Sequence, residues 1–128
     1  MPFAVKADVG GDRGARSLSF DEKTMYRGWE VRSGDDIYVF DSENQGGSGL
    51  CARGVVTSYE KGAATRVLIE VRPTATARRP LGRAELAPFR ELDDGAPASE
   101  ITRKLYRQPT NKVIRISDEE AAFLATHF

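Results

Sequence analysis

Short apolar runs alternate with polar breaks that carry glycine or proline, a pattern that predicts strands more than long helices. Phe3-Ala4-Val5-Lys6 predicts a first strand, followed by a glycine- and charge-rich loop through Gly10, Gly11 and Gly14. Ile37-Tyr38-Val39-Phe40 is β-branched and aromatic between Gly34-Asp35 and Asp41-Ser42, which predicts a buried strand. After a turn from Asn44 to Gly49, Leu50 to Ser58 predicts the returning strand, and Gly54 within it marks a bulge or a close backbone approach. Val67, Ile69 and Val71 alternate with polar residues on a further strand, and Pro73 is expected to limit its pairing. Lys112 to Ile116 predicts one more.

Helices are fewer and short. Residues 73–98 contain Pro73, Pro80, Pro88 and Pro97 and predict a long connection, with one turn of helix around Arg83–Phe89. Ser99 is placed to cap a helix from Glu100 to about Gln108, with Ile101 and Leu105 inward and Pro109 ending it. Ser117-Asp118-Glu119-Glu120 is a capping box. It opens a terminal helix whose Ala121, Leu124, Ala125 and Phe128 form an apolar stripe. About five or six strands, two or three short helices and no βαβ alternation predict an α+β fold. Its expected form is a strongly curved mixed sheet or small pseudo-barrel, one domain over residues 1–128.

Composition narrows the chemistry. The 128 residues suffice for a real core, and 40% hydrophobic content argues against disorder. No apolar window is long enough for a membrane helix, and the N-terminus lacks a signal-peptide pattern, so a cytoplasmic location is expected. A single cysteine, Cys51, excludes an internal disulfide and a cysteine-cluster metal site. A single histidine, His127, argues against histidine-based metal or triad chemistry, so neither metal nor cofactor is expected.

The formal net charge of zero hides a block structure. Residues 28–60 carry two basic and six acidic side chains, and residues 72–90 five arginines against Glu85. Residues 91–100 hold four acids and no base, residues 101–116 five bases and no acid, and the end returns to acid at Asp118, Glu119 and Glu120. Such blocks either pair with one another across the folded surface or build a basic face that meets phosphate.

The order of elements resembles the EVE branch of the PUA-like superfamily, whose relatives include the YTH and ASCH domains. The residues that carry the resemblance are Phe3-Ala4-Val5-Lys6, Gly28-Trp29, and the Gly34-Asp35 strand through Asp41-Ser42. Next come the glycine-linked return Gly49 to Ser58, Leu105-Tyr106-Arg107-Gln108 with Asn111-Lys112, and the closing strand and Ser-Asp-Glu-Glu helix. The resemblance implies a pseudo-barrel that binds nucleic acid, DNA or RNA, in several relatives by holding a modified, flipped-out base in an aromatic pocket.

In that frame Trp29 is a candidate stacking surface, because a flipped base needs flat walls, with Tyr26 beside it. Lys6, Ser42, Glu43 and Asn44 fall at strand ends and supply donors and acceptors for a base edge, although Asp41-Ser42 equally suits turn formation. Arg103, Lys104, Arg107 and Lys112 form the densest basic run and are the candidate phosphate contacts, with Tyr106 and Gln108 nearby. No nucleophile–base pair is evident, so binding is expected ahead of catalysis. The alternatives are an ASCH-like hydrolase of modified nucleosides using Lys6 or Glu43, and a protein-interaction module using residues 73–98.

Overall fold

Strand β1 (Pro2–Ala7) is buried on both faces, with Phe3, Val5 and Ala7 on one side and Ala4 and Lys6 on the other. That two-sided burial sets the architecture. The structure, a computed structural model, describes residues 1–10 and 14–128, so Gly11 of the expected loop lies outside the described residues. β1 joins β2 (Leu18–Met25), β3 (Asp36–Asp41), β4 (Gly49–Lys61), β5 (Arg66–Thr76) and β6 (Lys112–Arg115) in a closed barrel ordered β1-β3-β4-β5-β2-β6. The β1–β3 and β2–β6 pairs are parallel and the others antiparallel. The expected mixed pseudo-barrel is the fold observed.

The inward-facing side chains of all six strands fill the barrel, among them Phe3, Phe20, Val39, Val56, Ile69 and Val113. A second core lies outside it, where Ala4, Tyr38, Phe40 and Ile114 meet Leu86, Ile101, Leu105 and Leu124 from the helices. Each such large apolar side chain contributes roughly 1.5–3 kcal/mol by leaving water. α1 (Arg83–Leu86) is a single turn continued by a 3₁₀ turn, α2 spans Pro97–Leu105, and α3 spans Asp118–Ala125. The capping box at α3 forms as expected: Glu120 N–H donates to Ser117 Oγ at 3.1 Å, and Ser117 N–H to Glu120 Oε1 at 3.2 Å.

Three local features differ from the sequence expectation. α2 begins at Pro97 and not after Ser99, because proline suits a first helical turn where its missing N–H has no partner to lose. β5 continues past Pro73 to Thr76, since it bulges at Thr74, the extra residue between the Gly54–Pro73 and Arg53–Ala75 pairs. A Cβ on Gly54 would strike the Arg72 carbonyl, which is the close backbone approach the glycine permits. β2 is a strand that the pattern leaves as loop: Leu18, Phe20 and Thr24 point inward, but the residues between them are mostly charged.

Candidate nucleic-acid interface

The C-terminal ends of β1 and β3 lie side by side, Lys6 opposite Phe40 and Ala7 opposite Asp41. A 3₁₀ turn, Glu43–Gln45, leaves β3 there and meets the start of α1 and the segment that follows α2. Between them opens a cleft of about 310 Å³ lined by Lys6, Asn44, Arg83, Arg90, Tyr106, Arg107 and Pro109. Among the described residues four cations line this cleft and no carboxylate does.

Its walls are tied together by polar contacts. Glu43 accepts the backbone N–H of Arg83 at 2.6 Å and the Tyr106 hydroxyl at 3.0 Å. The Arg83 guanidinium donates to Asn44 Oδ1 at 2.6 Å, and Asn44 Nδ2 donates to the Pro109 carbonyl at 2.8 Å. Lys6 Nζ donates to the Leu105 carbonyl at 2.7 Å and sits 4.9 Å from the centre of the Tyr106 ring. Burial lowers the Lys6 pKa from its ordinary value, with Glu43 opposing that shift and Arg83 adding to it. Burial also raises the Tyr106 pKa, reinforced by the Glu43 carboxylate, so the phenol stays protonated as a donor.

The remaining two arginines are held loosely. Arg107 reaches the Arg90 carbonyl at 3.3 Å and the exposed Asp93 at 3.5 Å, and Arg90 stands 3.9 Å from the exposed Glu91. Such exposed pairs are worth about 0–1 kcal/mol, so their arginines can turn to a phosphate at little cost. Chemically the cleft is a cradle for an anion, with fixed donors at its base and two exposed, weakly paired forks at its rim.

Of the residues singled out in the sequence, Lys6, Asn44 and Arg107 line this cleft and Glu43 braces it. Ser42 is buried beside Glu43, its N–H bonded to the Ala7 carbonyl, and its hydroxyl makes no hydrogen bond among the described residues. Lys112 is buried directly opposite Lys6 on β6, its pKa pushed down to about 8 by burial and by the neighbouring Lys6 and Lys23 charges. Arg103 and Lys104 are engaged elsewhere, with Glu100 at 3.0 Å and with the buried Glu120 at 2.8 Å. Tyr26 lies under the Arg103 guanidinium, and Trp29 stands in a separate depression. Arg83 and Arg90 were not singled out, and their only signal was the positive block at residues 72–90.

The charge blocks therefore do both things open to them. Arg103, Lys104 and Arg115 are matched by Glu100, Glu120 and Glu30 at 3.0 Å or less. Arginines from two different blocks, Arg83 and Arg90 from one and Arg107 from the next, converge on the cleft.

No family model matches the sequence. No curated protein matches it either. Among solved structures it is similar to the human THYN1 protein in complex with 5-methylcytosine-containing DNA, at 12% identity, TM-score 0.69, and 98% and 96% coverage of the two chains. It is also similar to the DUF55 domain of human thymocyte nuclear protein 1, at 9% identity, TM-score 0.68 and 98% and 97% coverage. A Pseudomonas putida protein aligns at 12% identity, TM-score 0.67 and 98% coverage of both chains. Identities this low speak to the fold.

Proposed function

We propose that this chain, a barrel of the EVE type within the PUA-like fold, is a nucleic-acid-binding module whose phosphate contacts are made in the Lys6–Arg83–Arg90–Arg107 cleft. One observation carries the reading: four cations from three separate chain segments meet around Asn44 and Tyr106, with no carboxylate among the described residues of the lining. A chain of zero net charge has no general attraction for polyanions, so this local convergence supplies it. Lys6 and Arg83 give fixed donors, and Arg90 and Arg107 exchange exposed carboxylates for phosphate oxygens.

The finer reading is that the bound strand carries a modified base. Its support is the fold shared with the human THYN1 protein, which was solved with DNA containing 5-methylcytosine. Fluorescence anisotropy with matched duplexes, cytosine against 5-methylcytosine, tests both levels at once. Tighter binding of the methylated duplex, with affinity falling steeply as salt rises, is the expected result. Equal affinity for the two would remove the modified base, and no binding at low salt would remove the nucleic acid.

A further inference from the structure

Trp29 is the only tryptophan of the chain, and it is 57% exposed. It follows β2 in a short 3₁₀ turn and borders a depression of about 320 Å³ against the β4–β5 hairpin. Thr24, Arg32, Tyr59, Lys61 and Arg66 are among the other lining residues, and among the described residues no carboxylate is. This depression shares no lining residue with the Lys6 cleft.

Its central feature is Arg32. The guanidinium lies 4.3 Å from the centre of the Tyr59 ring and donates to the Trp29 and Val31 carbonyls at 3.0 and 2.6 Å. Backbone oxygens and a ring face thus hold it in place, and it makes no ion pair among the described residues. Arg66 is paired with Asp21 at 3.0 Å. A large exposed indole beside a positioned guanidinium that has no ion-pair partner among the described residues presents a flat apolar face and a cation within one small hollow. An unpaired nucleobase with its adjoining phosphate has the matching shape and charge. An acidic peptide would satisfy the cations but leave the indole face uncovered, so the aromatic surface favours the nucleotide.

We infer that the Trp29–Arg32–Tyr59 depression is a second contact for single-stranded nucleic acid, Trp29 stacking on an unpaired base and Arg32 meeting its phosphate. The inference rests on the nucleic-acid reading above but uses different residues. It adds single-strand stacking to the phosphate cradle.

Because Trp29 is the sole tryptophan, its emission reports this site directly. Unlabelled oligothymidine is titrated into the full chain while emission is followed, and labelled oligothymidine is followed in parallel by anisotropy. The expected result is saturable quenching that tracks the anisotropy, a loss of affinity of about tenfold in Trp29→Ala, and near-complete retention in Trp29→Phe. In Arg107→Ala, a cleft variant, quenching should still reach the same end point at higher oligonucleotide concentration. Anisotropy binding without quenching, with Trp29→Ala equal to wild type, would overturn this inference and leave the cleft standing. No binding of either oligothymidine or duplex would overturn both. Quenching by polyglutamate but not by oligothymidine would overturn it in favour of a protein partner.

Discussion

Lys6 and Lys112 sit directly opposite one another across β1 and β6, and both are almost wholly buried. Two ammonium groups in one buried patch repel each other and lose hydration, and Lys23 adds a third positive charge to Lys112. Lys6 donates to the Leu105 carbonyl, and the Glu43 carboxylate opposes part of the lowering that burial imposes on its pKa.

The cost of that arrangement predicts a pH dependence. The Lys112 pKa lies near 8 in the folded chain, below its ordinary 10.5. Between those values the unfolded chain binds more protons, so stability rises with pH through that window, and the full penalty is felt below it. Lys112→Met removes the buried charge. Denaturant unfolding should find the variant more stable than wild type at pH 7 by on the order of 2 kcal/mol, with the gain shrinking as pH approaches the unfolded value. A variant less stable at pH 7 would show that Lys112 makes a contact worth more than its burial costs.

Lys104 belongs to the same basic run, yet its work is structural. It bonds Glu120 at 2.8 and 3.2 Å, and Glu120 closes the capping box of α3. Lys104→Met leaves a buried carboxylate unpaired and is expected to cost about 3 kcal/mol of stability. The salt dependence of oligonucleotide binding should be unchanged in the folded variant. A reduced salt slope would instead place Lys104 on the phosphate surface.

Glu43 is a carboxylate beside the cleft that braces Tyr106 and the start of α1. Glu43→Gln keeps one acceptor oxygen, at the position that both the Arg83 N–H and the Tyr106 hydroxyl reach, while removing one negative charge. Oligonucleotide affinity should rise about threefold to tenfold, measured by anisotropy at fixed salt, consistent with a local gain of roughly 1 kcal/mol. Weaker binding would mean that the Glu43 charge itself orients the cleft.

Much of this barrel was legible in the order of residues, and the exceptions have physical causes. The runs at Ile37–Phe40 and Val67–Val71 are buried enough to read as strands on sight, and the Ser117–Glu120 box announced α3. β2 was hidden because its outward face is charged in a closed barrel, where only Leu18, Phe20 and Thr24 mark the inside. That Lys6, Asn44 and Arg107 line the cleft was partly legible, the first two as polar groups at strand ends and Arg107 from its basic run. Arg83 and Arg90 were not, since nothing local tells an arginine on a proline-rich connection which surface it will reach. The same limit applied to Arg103, Lys104 and Arg107: consecutive in one basic block, they separate because Glu100 and Glu120 capture the first two.

The most direct test of the cleft compares wild type with the Arg83→Ala/Arg107→Ala double variant, following oligonucleotide affinity as salt is raised. Each phosphate contact contributes about one unit to the slope of log affinity against log salt. The account predicts that the double variant binds more weakly at every salt concentration and that its slope is shallower by about two. An unchanged slope in a folded double variant would contradict it and move the nucleic acid to another face of the barrel.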